Sequence, residues 1–194
     1  MSGKSFLLLG KYPDMYSKNV FNRFSKSLSV VCTGFMNHQY DIDDMFVHPV
    51  QNESCDTILQ SIIDRANIII EKGNNVPKNV SIVVDMCYTS LYESNVLKEC
   101  LINRAKYEFM PIYVISNRSL DILPLYDYFV FGFENDDKII YDNYLLCNDI
   151  IPLQSFQNII LSLEMDEYIM YDKENNQLSK YTKGSIYIIT CHYS

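Results

Sequence analysis

The chain has 194 residues with 48% hydrophobic and 21% charged residues and a formal net charge of -8, enough to bury one substantial core without calling for a second domain. No Pro-, Gly- or Ser-rich tract marks a linker, and no apolar run approaches the roughly 20 residues that cross a bilayer. An intracellular chain that folds throughout and makes no membrane contact is expected, because Phe6 to Leu9 is also too short for a signal-peptide core and ends at Gly10-Lys11.

The six cysteines are scattered without a Cys-x-x-Cys pair, and His38, His48 and His192 are isolated. This argues against zinc and disulfide frameworks and for reduced, partly buried thiols, Cys87 included. Charge is uneven. Residues 1–26 carry Lys4, Lys11, Lys18, Arg23 and Lys26 against Asp14, whereas residues 134–174 hold ten acids against Lys138 and Lys173. Such polarity can steer a charged partner, and it also describes a plain solvated face. An acidic chain is poorly suited to strong non-specific binding of nucleic acid, which draws on many Lys and Arg.

In chain order, Met1-Ser2-Gly3-Lys4-Ser5 comes first and opens the apolar run Phe6 to Leu9, which reads as the start of a helix. A Gly-Lys-Ser opening a helix lets backbone N–H groups and the helix dipole meet phosphate, with the Ser hydroxyl on magnesium. The same triplet also arises by chance, and with only two residues ahead of Gly3 most of a phosphate loop and its preceding strand are missing. Short apolar runs at Leu28 to Cys32, Val80 to Val84, Pro111 to Ser116 and Tyr128 to Phe133 predict strands buried on both faces, as in a parallel sheet covered by helices. Helices are predicted over Glu53 to Glu71, where Ile58, Ile62 and Ala66 recur every fourth residue before Gly73, and over Leu91 to Ala105.

Asp85 directly follows the apolar run Val80 to Val84. A carboxylate at the carboxyl end of a buried strand sits where open α/β sheets bind ligands, and it equally suits a cap for the following turn. The chain closes with a predicted helix, Pro152 to Leu163, and strands at Glu167 to Asp172 and Ser185 to Thr190 around a polar loop, Lys173 to Lys183, pairing antiparallel at one sheet edge. The fold class expected is α/β, a mainly parallel sheet flanked by helices with a short antiparallel C-terminal pair of strands. The sixteen tyrosines and ten phenylalanines lie among acids and aliphatics and read as core rather than as a base-stacking surface.

The order of these segments resembles the genome-packaging ATPases of large nucleo-cytoplasmic DNA viruses, in the FtsK-HerA branch of P-loop motors. The resemblance rests on Gly3-Lys4-Ser5, on Val30-Val31-Cys32-Thr33-Gly34 with Asn37 to Tyr40 after it, on Asp85-Met86 in place of the family's Asp-Asp, on Asn103-Arg104-Ala105-Lys106-Tyr107, on Ile115-Ser116-Asn117-Arg118 and on Pro124 with Asp127-Tyr128-Phe129-Val130-Phe131. It implies a single P-loop NTPase-like domain over residues 1–194 that lacks the first strand and most of the phosphate loop. It also implies ATP on Gly3, Lys4, Ser5 and Asn117, and Mg2+ on Ser5 and Asp85. No residue is assigned to catalysis, because Met86 replaces the second carboxylate and no arginine stands where the family's finger lies.

A degenerate packaging-ATPase-like protein that hydrolyses ATP weakly or not at all is therefore expected. The alternatives are a residual Mg-ATP-binding motor subunit, a non-catalytic interaction subunit and a split-gene remnant. The implied partners are a packaging-motor or capsid protein and further copies of the chain, with direct DNA contact left open. The implied location is the virion or the viral factory in host cytoplasm, and the abundance of Asn, Asp and Tyr without Trp fits an AT-rich coding genome.

Overall fold

The computed structural model describes residues 3–24, 29–33, 45–49, 55–74, 81–85, 94–107, 111–116 and 125–189. Its elements in chain order are β1 (Ser5–Leu9), α1 (Pro13–Phe24), β2 (Ser29–Thr33), β3 (Met45–Pro49), α2 (Cys55–Glu71), β4 (Ser81–Asp85), α3 (Asn95–Ile102), β5 (Ile112–Ser116), β6 (Tyr128–Phe131), α4 (Asp137–Tyr144), α5 (Leu153–Leu161), β7 (Tyr168–Asp172), β8 (Gln177–Tyr181) and β9 (Ile186–Ile189). They build one sheet in the order β3-β2-β4-β5-β1-β6-β7-β8-β9. The six strands from β3 to β6 in that order run parallel, and β7 to β9 are antiparallel to their neighbours. The α/β architecture with a parallel core and an antiparallel C-terminal edge is as expected.

Alternation along the central strands divides the apolar residues between two cores, because successive side chains leave a strand on opposite faces. Leu7, Leu9, Ile82, Val84, Ile112, Val114, Phe129 and Phe131 face α2, α3, α4 and α5, which contribute Leu59, Ile63, Leu97, Leu101, Ile140, Phe156 and Ile160. Phe6, Leu8, Val83, Tyr113, Ile115, Tyr128 and Val130 face α1, which contributes Tyr16, Val20 and Phe21, and join Tyr168, Met170 and Tyr181. This second core is aromatic. Phe6 stacks on Tyr113 and Tyr128 at 4.9 and 4.6 Å, and Tyr168 stacks on Tyr181 at 4.8 Å.

Two expectations are corrected. Phe6 to Leu9 does not continue a helix from Gly3-Lys4-Ser5. It is β1, hydrogen-bonded to β5 on one side and β6 on the other, in the middle of the sheet. Two parallel neighbours give these four apolar residues burial on both faces, which a helix could not supply. The helix that follows is α1, whose Tyr16, Val20 and Phe21 form the buried side. Finally, Lys173 to Lys183 is not all loop. It contains β8, which lies between β7 and β9, so the C-terminal edge is a three-stranded meander rather than two strands paired directly.

Candidate functional site

Among the described residues, those expected to hold ATP and magnesium do not converge. Gly3, Lys4 and Ser5 lie at the amino end of β1, whereas Asp85 ends β4 and Asn117 follows β5; Asn117 itself lies outside the described residues. In register Ser5 pairs with Ile112, while Asp85 pairs with Ile115. Ser5 and Asp85 are thus three residues apart along the strands, about 10 Å, and two strands apart across them, about 10 Å more. Magnesium holds its oxygens at about 2 Å, so one ion cannot bridge the two.

Ser5 and Lys4 have other partners. Ser5 is fully buried. Its hydroxyl donates to Leu125 O at 2.9 Å and to Asp127 Oδ2 at 3.0 Å, and its backbone N–H donates to the same Oδ2 at 2.8 Å. Arg104 closes the group, with Nη2 3.1 Å from both Asp127 oxygens and Nε donating to Gly3 O at 2.7 Å. Lys4 Nζ donates to Glu174 Oε2 at 2.7 Å and lies over the Tyr128 ring; the Glu174 hydrogen bond, then the nearby carboxylates, raise its pKa. This is a clasp that pins the start of β1 to the start of β6, with every cation engaged by protein.

The strand-to-helix turn that does open at the carboxyl edge is Gly10-Lys11-Tyr12, between β1 and α1. Gly10 has φ +146°, a conformation L side chains rarely adopt, and a Cβ there would lie 3.2 Å from Phe133 O. The turn is stitched to the segment after β6 by Gly132 N–H donating to Leu9 O at 2.8 Å and Lys11 N–H donating to Phe133 O at 2.9 Å. Lys11 Nζ donates to Asn135 Oδ1 at 2.9 Å, and Asp14 stands in the first turn of α1.

A phosphate loop of the form Gly-x-x-x-x-Gly-Lys-Ser/Thr needs free backbone amides around the anion and a lysine reaching into it. Counted from Gly10, the second glycine falls on Met15, the lysine on Tyr16 and the hydroxyl on Ser17. Tyr16 is 1% exposed, and its phenol donates to Leu9 O at 2.8 Å, back onto the end of β1. Its ring lies against Gly132 so closely that a Cβ on Gly132 would meet ring carbons at 2.2 and 2.6 Å. Ser17 is buried and donates to Asp14 O at 3.2 Å. Measured against that loop form, the turn keeps Gly10 and the hydroxyl of Ser17, while Tyr16 stands at the lysine position and α1 begins at Pro13, inside the span of the loop.

The described part of the carboxyl edge also carries two carboxylates. Asp85 is 5% exposed, and Glu134, after β6, is buried with Oε1 accepting from Asn135 N and Asp136 N at 2.8 and 3.0 Å. Among the described residues no group of three His, Cys, Asp or Glu is placed to hold a metal ion. Cys100 and Cys147 are buried thiols outside any disulfide, and burial pushes the Cys147 thiol up to about 12, as suits an inert side chain. In the sequence the triplet Gly-Lys-Ser outweighs the Gly10-to-Ser17 frame, whose one mark is Gly10 immediately after a four-residue apolar run.

No protein-family profile matches the chain, and no curated protein matches it in sequence. Solved structures do match in three dimensions. The genome-packaging NTPase B204 of Sulfolobus turreted icosahedral virus 2, in complex with ATP-gammaS, superposes with a TM-score of 0.62 at 10% identity over 93% of this chain and 97% of that one. The DNA-packaging ATPase B204 of Sulfolobus turreted icosahedral virus gives 0.58 at 10% identity over 98% of both chains. The cytoplasmic domain of the type VII secretion ATPase EccC of Thermomonospora curvata gives 0.56 at 8% identity over 97% of this chain but 25% of that one. The chain has the fold of P-loop ATPases of the packaging and secretion kind.

Proposed function

We propose that this chain is a packaging-ATPase-like subunit whose nucleotide site has closed and which works through protein contacts rather than ATP turnover. The observation that carries the reading is Tyr16: it stands in the lysine's place in the Gly10 frame, bonds back to Leu9 O and packs on Gly132. Correspondence over nearly the whole of both chains with B204 supports a packaging-type subunit. On this reading β1 is the strand before the phosphate loop, and the chain is one P-loop NTPase-like domain with that strand retained. A missing upstream strand is then not needed, since both sides of β1 are already paired. The partners are a motor or capsid component or further copies of the chain, in a virion or viral factory of a large DNA virus.

Mg-ATP calorimetry on the purified chain tests this, with Lys11→Ala and Asp85→Ala beside it. No saturable binding by the folded protein is expected. Binding that both substitutions abolish would overturn the proposal in favour of a residual nucleotide site. That second reading has one observation behind it, the placement of Lys11 and the buried Asp85 at the same edge of the sheet. Lys4→Ala separates either reading from the expectation that Gly3-Lys4-Ser5 binds phosphate, because only that expectation gives Lys4 a role.

A further inference from the structure

The sheet ends at β9, whose outer side has no neighbouring strand among the described residues. Ile186, Tyr187 and Ile188 are 53%, 56% and 62% exposed. Ile186 and Ile188 leave the strand on one face and Tyr187 on the other, so both faces of this edge are open as well as its rim, and no helix bars the approach of another strand. We propose that β9 pairs antiparallel with β9 of a second copy of this chain, about a two-fold axis that passes through Tyr187 perpendicular to the sheet. The contact deepens the proposed function and rests on it in taking further copies of the chain as partners.

Edge strands that stay single are usually blunted by a charge, a proline or a bulge. The run from Ser185 to Thr190 contains no charged residue and no proline, and the register of β9 with β8 is unbroken. An uncharged β-branched and aromatic edge of this kind is a template for another strand. The absence of charge also decides the occupant, because an identical strand brings no like charge against it. Lys180, the cation beside Tyr187 on β8, is neutralised by Glu167 at 2.9 Å.

The register follows from the β8–β9 hairpin. Thr182 N–H donates to Ser185 O at 3.0 Å across the Lys183-Gly184 turn. Hydrogen-bonded pairs alternate along antiparallel strands, so Ser185, Tyr187 and Ile189 direct their backbone groups to β8 while Ile186 and Ile188 direct theirs outward. These outward groups stand symmetrically about Tyr187. Antiparallel pairing centred there sets Ile186 opposite Ile188 of the copy and Ile188 opposite its Ile186, and every outward N–H and C=O of the two residues meets its complement. Tyr187 comes opposite itself in a non-hydrogen-bonded pair, with Cα atoms about 4.5 Å apart, where cross-strand aromatic contact is favourable. A short strand pair joins an area at the low end for specific complexes, so the dimer is weak and forms with rising concentration.

Sedimentation equilibrium of the full chain at physiological salt, from low to high micromolar concentration, tests this. A reversible equilibrium between monomer and dimer is expected, and by symmetry each substitution acts twice. Ile188→Pro removes an outward N–H, which an edge strand tolerates, and should weaken dimerisation roughly tenfold or more with far-ultraviolet circular dichroism unchanged. Tyr187→Lys and Tyr187→Glu should each weaken it, because like charges then come face to face. An equimolar mixture of those two variants should form the mixed dimer more tightly than either variant pairs with itself, a rescue that requires a register setting residue 187 against itself. Ile102→Lys, at a side chain 61% exposed on α3, should leave the equilibrium unchanged. A monomer throughout the range would overturn the proposal and leave the edge to a strand of different sequence. A dimer indifferent to Ile188→Pro, or no preference for the mixed pair, would overturn it as well. None of these outcomes alters the calorimetric test of the nucleotide site, and Mg-ATP binding there would strike the closed-site reading while leaving the dimer to stand or fall on its own measurement.

Discussion

Asp127 holds Ser5 at the start of β1, its Oδ2 accepting from the Ser5 backbone N–H at 2.8 Å and from the Ser5 hydroxyl at 3.0 Å. Arg104 lies on the same carboxylate from the turn after α3, so three distant parts of the chain meet on one side chain. Asp127→Ala removes the acceptor for two donors and leaves a guanidinium unpaired. It should cost about 2–3 kcal/mol in denaturant unfolding, the range for hydrogen bonds to charged groups. Lys4→Ala should cost under about 1 kcal/mol, because the Lys4–Glu174 pair is exposed to solvent. Equal losses for the two variants would show that the clasp is not centred on Asp127.

The clasp also shows where reading the sequence misled. Gly3-Lys4-Ser5 has the composition of a phosphate loop, but composition does not say which end of a strand it occupies. Phe6 to Leu9 is a four-residue apolar run, too short for periodicity to separate strand from helix. Assigning it to a helix displaced α1 and moved the expected phosphate loop from the carboxyl to the amino edge of the sheet. In contrast β4, β5 and β6 were legible because two covered faces demand unbroken apolar runs. The helix α2 was legible because Ile58, Ile62 and Ala66 repeat at helical spacing. The strand β8 was not, since Gln177, Ser179 and Lys180 dilute its alternation, although Leu178 and Ser179 are buried. Tyr16 could not be weighed at all without the fold, because its significance lies in Gly132 and Leu9, which only the sheet brings beside it.

That packing gives a second prediction. Gly132→Ala would place a Cβ about where the Tyr16 ring now lies, and overpacking of this kind typically costs about 1–3 kcal/mol. The loss should be smaller in a Tyr16→Leu background, where the ring is gone, and a double-mutant cycle by chemical denaturation reads the coupling. Additive effects would mean that Gly132 is retained for its backbone rather than for the tyrosine.

The acidic stretch from Glu134 to Glu174 reads in sequence as a solvated face, yet several of its carboxylates are backbone acceptors. Asp136 caps α4, its Oδ1 accepting from Lys138 N and Ile139 N at 2.9 and 3.1 Å, and Asp172 accepts from Glu174 N at 3.0 Å in the turn after β7. Asp136→Ala should therefore destabilise the protein by about 1 kcal/mol, the usual loss for a helix N-cap. Asp136→Ser should recover most of it. An alanine variant with unchanged unfolding would return this residue to the solvated face.

Burial of the aromatic cores gives the chain a defined alkaline limit. Burial alone raises the Tyr126 pKa far above its ordinary value of 10.0, and burial, slightly offset by Arg23, does the same to Tyr168. With the folded pKa raised, the unfolded chain loses these phenolic protons first as pH rises. The stability they contribute is whole below about pH 10 and falls above it, by about 1.4 kcal/mol per pH unit for each group. Unfolding followed by circular dichroism should therefore coincide with a late, cooperative rise in tyrosinate absorbance. Replacing Tyr126 and Tyr168 together with phenylalanine should move that transition to higher pH, because neither hydroxyl has a partner to lose. A transition that stays in place would mean that the alkaline limit is set by other groups, such as the Lys4 ammonium at the clasp.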